Sequence, residues 1–223
     1  MAEQLAFDLP ATVRLGADDF FVSPANEQAF AMVRTPAAWP DGKLALIGPS
    51  GSGKTHLAGI LAAEAGLDVI TASDIDPAAP LPTRGLIVED GEGLAPVAEE
   101  WLFHTHNHLR AQTLPLLLTG RSAPARWDIA LPDLRSRLVA ATTARIGTPD
   151  DPLLMAVLLK HFSDRQLMPA PDVIAYLQRH LPRSFEAIRA TVRTLDRAAL
   201  EQGKPLTRPF VRDVLDSVAP DTR

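Results

Sequence analysis

The sequence predicts an α/β protein, a parallel sheet flanked by helices, followed by a small all-helical domain. Three observations predict it. The glycine-rich stretch Gly48-Pro-Ser-Gly-Ser-Gly-Lys-Thr55 stands between a short apolar run that reads as a strand and an apolar run that reads as a helix. Further short apolar runs at 69–71, 85–90 and 114–119 read as buried strands, and helical patterning intervenes. From residue 153 onward the pattern is helical to the end.

The chain has 223 residues and is 46% hydrophobic, which suits one α/β domain with a full core and a small second domain. No apolar run approaches the length of a membrane span, and the first residues do not read as a signal peptide. A cytoplasmic protein without membrane partners is therefore expected. The absence of cysteine excludes a disulfide framework and a thiolate metal site. A net charge of −5 argues against an extensive non-specific grip on DNA, which needs a basic face. Twenty prolines against one tyrosine point to many stiff loops.

Residues 1–12 are too short for a stable element of their own. Gln4 is followed by Leu5, Phe7 and Leu9, which alternate at strand spacing ahead of Pro10. An apolar peptide of this kind either folds back on its own domain or docks as an extended segment in a partner's pocket. Residues 18–34 read as a loop and then a helix with an apolar side around Ala29, Phe30, Met32 and Val33. Phe21 and Val22 are candidates to lie over an adenine ring, and ordinary core packing is equally open for each.

Lys43–Ile47 is the strand that leads into the glycine-rich loop. Gly48, Pro49, Ser50, Gly51, Ser52 and Gly53 form the loop itself, and it fits the P-loop pattern at every defined position. Its glycines let several backbone N–H groups turn inward to a phosphate. The helix that follows, with His56 in its first turn, directs its positive dipole end at the same anion. Lys54 is expected to reach the β- and γ-phosphates of ADP or ATP, and Thr55 to hold Mg²⁺ through its hydroxyl.

Gly85–Asp90 is an apolar strand that delivers two acids beside the loop. Glu89 takes the metal-side position, acting through water, and Asp90 the position that orients an attacking water. A longer acid before a shorter one positions water poorly, so at most weak ATPase activity is expected. Residues 97–111 form an amphipathic helix around Trp101, Leu102 and Leu109. His104 and His108 share one of its faces but lack an accompanying acid, and they read as solvated or packed histidines. The strand at 114–119 ends on Thr119, at the level where a residue sensing the phosphates would sit.

Asp133-Leu-Arg-Ser-Arg-Leu138 places Arg135 and Arg137 close to a helix end. They form a solvated face or reach the nucleotide of another subunit. An arginine finger of that kind accelerates hydrolysis by ~10³–10⁵. A last strand closes over 144–147, and 148–152 is the linker. Helices follow at 153–162 and 171–181. A third carries Phe185, Ile188, Val192, Leu195 and Ala199 at three- and four-residue steps, and a fourth covers 209–218. Arg183, ahead of the third helix, reaches back to the phosphates or is a charged helix end. The expected divisions are 1–12, 13–147 and 148–223.

Together these parts resemble the AAA+ ATPase family, and within it the proteins related to the bacterial replication initiator DnaA. Gly48 to Leu57, ending in Lys-Thr-His-Leu, is similar to the initiator's loop. Leu-Arg-Ser-Arg within 133–138 resembles the box that carries the arginine finger, which the resemblance places on Arg137, and Arg183 matches the second sensor arginine. Gln4 to Leu9 resembles the hexapeptide that binds the replication sliding clamp. The plan has no room for the initiator's DNA-reading domain or its N-terminal domain, and in this it is similar to the Hda-type initiator-inactivating homologues. Two features depart from the pattern. One is the Glu89–Asp90 order. The other is Gly120-Arg121-Ser122, where the family carries an acid and then an arginine.

The resemblance implies a nucleotide-bound regulator, with ADP the expected ligand. It would dock on the β subunit of the DNA polymerase III sliding clamp and stimulate ATP hydrolysis by the initiator DnaA through Arg137. DNA would be touched mainly through partners, and self-association is a further reading. Two rivals are a self-contained AAA+ loader or remodeller and a non-catalytic clamp-binding adaptor.

Overall fold

The computed structural model describes residues 14–15 and 20–218. They divide into two compact units, one over Leu15–Gly147 and one from Thr148 onward.

Arg14–Leu15 (β1) and Phe21–Val22 (β2) form a small two-stranded sheet. The main sheet has five strands: β3 (Lys43–Ile47), β4 (Asp68–Thr71), β5 (Leu86–Glu89), β6 (Leu116–Gly120) and β7 (Thr142–Arg145). Their order is β4-β5-β6-β3-β7, and every neighbouring pair is parallel. The helices of this unit are α1 (Glu27–Val33), α2 (Lys54–Ala65), α3 (Glu99–Ala111) and α4 (Pro132–Val139).

The two central strands, β3 and β6, are buried along their whole length. That is why their sequences read as unbroken apolar runs rather than alternating ones. On one face Leu86, Val88, Leu116 and Leu118 pack with Trp101, Leu102 and Leu109 of α3 and with Leu134 and Leu138 of α4. Ile87 and Leu117, which alternate with them along the strands, are equally buried. The edge strands are different. Val69 on β4 is half exposed, and β7 reads Thr-Thr-Ala-Arg. This polar edge explains why the last strand, expected over 144–147, instead spans Thr142–Arg145. Asp90 also falls outside its expected strand, since β5 stops at Glu89 and Asp90 turns into the left-handed region with φ 51°.

The second unit is a bundle of four helices, α5 (Asp151–Ser163), α6 (Pro171–His180), α7 (Phe185–Gln202) and α8 (Arg208–Val218). Its core joins Leu154, Leu158 and Phe162 of α5 to Ile174 and Leu177 of α6, Ile188, Val192 and Leu195 of α7, and Phe210, Val211 and Val214 of α8. Asp150 caps α5 by accepting the Leu153 N–H at 3.0 Å, and Ser184 caps α7 by accepting the Ala187 N–H. Helix α5 begins two residues before the expected 153, with Pro152 in the first turn, where its missing N–H costs nothing. Among the described residues no helix is long and apolar enough to cross a membrane.

Candidate functional site

The strand order decides what meets at the ends of the strands. Strand β6 lies between β3 and β5. The chain leaving β6 therefore rises between the glycine loop after β3 and the acids that end β5. Open parallel sheets place ligands at this carboxyl edge.

The loop is shaped by its glycines. Gly51 and Gly53 have φ of 77° and 92°, values that side chains other than glycine rarely adopt. Lys54 opens α2 and is 8% exposed. Its Nζ donates to the carbonyl oxygens of Gly48 and Pro49 at 2.9 and 3.1 Å. Burial lowers its pKa, and the nearby Asp90 carboxylate works in the opposite direction. Ser52 Oγ is enclosed without a partner, while Thr55 and His56 are exposed.

The aromatic residue packed on this loop is Phe20. Its ring stacks on Phe30 with centroids 5.5 Å apart and meets His56 edge-on at 5.7 Å. A Cβ on Gly53 would come within 3.2 Å of it. The sequence reading singled out the next two residues. Val22 is buried, and Phe21 is half-buried.

The acids form the opposite wall. Glu89 is half-buried, and its Oε1 is enclosed without a hydrogen-bond partner. Asp90 is exposed, and its N–H donates to Thr119 Oγ1 at 3.2 Å. Thr119 is 1% exposed, so its hydroxyl serves to tie β6 to the acidic turn. The residue of this segment that lines the pocket is Arg121. Glu92 Oε1 accepts the N–H groups of Arg121 and Ser122 at 2.7 and 2.8 Å and the Ser122 hydroxyl at 3.3 Å. Trp127 fills the space over Gly91 and Gly120 and donates its indole N–H to the Ser122 carbonyl at 3.0 Å.

These walls enclose an open pocket of about 310 Å³ lined by Ser50, Gly51, Gly53, Lys54, Thr55, Asp90 and Arg121. The donor set fits a polyphosphate with a hard divalent cation. Main-chain N–H groups and Lys54 could receive phosphate oxygens. The Thr55 hydroxyl and the unpartnered Glu89 oxygen are the oxygen ligands such a cation takes.

Arg137 lies on α4, away from the pocket lining. It is half-buried, with its guanidinium carbon 5.0 Å from the centroid of the Phe103 ring on α3. Its Nε is enclosed and unpartnered. The buried Glu99 carboxylate accepts the N–H groups of Ala130 and Leu131 at 2.9 and 2.6 Å and so fixes the entry to α4. Arg135, two residues earlier, is exposed. In the helical unit Arg183 is exposed and ion-paired with Asp151 at 2.7 Å. His104 is exposed, His108 is half-buried, and no cluster of potential metal ligands occurs among the described residues. Gln4, Leu5, Phe7 and Leu9 lie outside the described residues.

A family model described as "Hda, lid domain" matches residues 151–215, the four-helix unit. Among solved structures the chain resembles domain III of the replication initiation protein DnaA from Thermotoga maritima, with a TM-score of 0.73 and 18% identity over 92% of this chain and 98% of that one. It also resembles AMPPCP-bound DnaA from Aquifex aeolicus, with a TM-score of 0.64 and 19% identity over 93% of this chain and 71% of that one. The RuvB Holliday junction branch migration motor of T. maritima matches with a TM-score of 0.67 and 16% identity over 92% of this chain and 72% of that one. The expected fold, a parallel α/β core flanked by helices and followed by a small all-helical unit, is thereby borne out, and in fold the chain resembles DnaA.

Proposed function

We propose that this protein is a DnaA-related regulator of replication initiation that holds an adenine nucleotide and acts on an ATP-loaded initiator. Gly48 to His56 hold ADP or ATP, and Thr55 with Glu89 hold Mg²⁺, Glu89 acting through water. Bound there, the cation neutralises phosphate charge. Asp90 faces the water position, and Arg183 of the lid serves as the second sensor. Gln4, Leu5, Phe7 and Leu9 dock on the sliding clamp. That contact raises the effective concentration of the chain at the initiator. Arg137 then enters the initiator's site, where its fork of donors meets the phosphates. The protein works in the cytoplasm and meets DNA mainly through its partners.

The observation that carries this reading is the joining, on one chain, of a built phosphate cradle to helices that match an Hda lid. The half-burial of Arg137 against Phe103 favours a second reading, a clamp-binding adaptor whose nucleotide only stabilises the fold. One experiment separates the two. Hydrolysis of DnaA-bound ATP is measured with and without this protein, on DNA carrying loaded clamp. Stimulation that disappears when residues 4–9 are deleted supports the first reading. Clamp capture without stimulation supports the adaptor.

A further inference from the structure

The four-helix unit has the opposite charge balance to the chain as a whole. Between residues 151 and 218 ten lysines and arginines stand against eight aspartates and glutamates, while the full chain is at −5. Part of that surplus is gathered at the start of α8. Phe210, Val211 and Val214 turn inward to the bundle core and fix the helix. Arg208 and Arg212, one turn apart, are left exposed on its outer side. The Arg208 guanidinium carbon lies 5.6 Å from the centroid of the Tyr176 ring on α6, and that ring is stacked on His180 at 4.2 Å. Tyr176, Arg208, Pro209 and Arg212 together line an open pocket of about 280 Å³.

The two guanidiniums are poorly neutralised. Arg208 has no hydrogen-bond or ion-pair partner among the described residues, only the Tyr176 ring. Arg212 meets Asp213, its exposed neighbour in sequence, at 3.6 Å, and such a contact is worth little in water. Helix α8 also begins here, and the positive end of its dipole has the same sign. Guanidiniums meet phosphate oxygens with paired donors, and contacts to a polynucleotide backbone need no base to be read. A phosphodiester chain carries a charge at every link, so it occupies both arginines at once, where a lone carboxylate occupies one. Stacking of unpaired bases calls for an open aromatic face, and the Tyr176 ring is already engaged by His180 and Arg208. The pocket therefore suits the backbone of a duplex better than a single strand.

We propose that Arg208 and Arg212 bind the phosphate backbone of duplex DNA, which gives the four-helix unit a direct contact with DNA that does not depend on sequence. The inference goes beyond the nucleotide-binding reading and does not depend on it. The test follows fluorescence anisotropy of a short labelled duplex with the full chain across a salt series, in the wild type, the double variant Arg208→Ala with Arg212→Ala, and the double variant Arg208→Lys with Arg212→Lys. The double alanine variant is expected to bind about tenfold more weakly or worse, and its slope of log affinity against log salt should be smaller by about two, one for each phosphate contact removed. The double lysine variant keeps both charges and should keep the slope. Thermal melting confirms that the variants fold. A wild-type chain that does not bind the duplex at low salt, or a double alanine variant with an unchanged slope, would overturn the proposal. Tighter binding of polyglutamate than of the duplex, lost in the double alanine variant, would overturn it too and assign the pocket to an acidic peptide.

Discussion

The guanidinium of Arg137 rests over the ring of Phe103, with 5.0 Å between its central carbon and the ring centroid, so a side chain of α4 is carried on an aromatic of α3. The attraction of a cation to such a face is worth ~0.5–1 kcal/mol where water reaches it and more where it does not. Only Nε of the guanidinium is enclosed without a partner, and no hydrogen bond engages the terminal nitrogens among the described residues. Glu99 ties down the start of α4, the helix that carries this arginine. The Phe103 contact orients the side chain.

Replacing Arg137 with alanine should therefore leave both the melting temperature and nucleotide affinity close to wild type. The stimulation of DnaA-bound ATP hydrolysis should disappear. Phe103→Ala keeps the charge but removes its rest, and should give an intermediate loss. Phosphate release from ATP-loaded initiator reads both. Undiminished stimulation by Arg137→Ala would transfer the role to another residue, with exposed Arg135 the first to try.

Lys54→Ala should cost at least about 100-fold in nucleotide affinity, since several charge-assisted hydrogen bonds to phosphate vanish together. Without nucleotide the same change should alter stability by only ~1 kcal/mol, because Lys54 Nζ there bonds just two loop carbonyls. Titration with ADP and denaturant unfolding give the two numbers. Tight ADP binding by the variant would rule out this loop as the phosphate cradle.

The part of the site that was legible in sequence is the part set by local chemistry. Left-handed φ at Gly51 and Gly53, a lysine opening a helix and an acid ending an apolar strand are all written within a few residues of each other. The roles of Arg121, Glu92 and Trp127 depend instead on β6 lying between β3 and β5, a non-local fact. The packing of Phe20 on the glycine loop was not legible either, because it depends on Phe30 of α1 and His56 of α2 coming together around that ring. Arg135 and Arg137 could not be separated by composition. Two residues apart on a helix they point to different sides, and only Arg137 reaches Phe103.

A pair of glycines in the acidic turn gives a controlled stability test. A Cβ on Gly91 would collide with the Trp127 ring, whereas one on Gly93 would meet nothing within 4 Å. Gly91→Ala should destabilise by ~1–3 kcal/mol, the range for overpacking a filled site. Gly93→Ala should be close to neutral. Because Trp127 also holds the loop of Arg121, the Gly91 variant should lose affinity for nucleotide as well. Equal stabilities of the two variants would show that the turn yields freely.

Stability should fall on mild acidification, and the buried side of the sheet gives the reason. His106 on α3 is 3% exposed, and its Nε2 lies 3.4 Å from the ammonium of Lys43, itself buried at the start of β3. A lysine ammonium only donates, so Nε2 must be the unprotonated nitrogen. Burial first, and then the charge of Lys43, hold the His106 pKa below its ordinary 6.5; Arg137 and Arg110 push the same way. His161 on α5 is lowered too, by burial first and then by Arg165, against the opposing charge of Asp164. For both, the unfolded chain binds the proton more readily than the folded one. Their contribution is thus complete above pH 6.5 and is lost as the pH falls below it, by up to ~1.4 kcal/mol per pH unit for each group. The melting temperature should be highest above pH 6.5 and decline toward pH 5.5, in a range where the Asp and Glu carboxylates are still mostly ionised. His106→Gln keeps an acceptor for Lys43 without a titrating ring, and should flatten part of that decline. Melting curves of both proteins across this range decide the matter, and a wild-type profile that stays level down to pH 5.5 would remove these two histidines from the account.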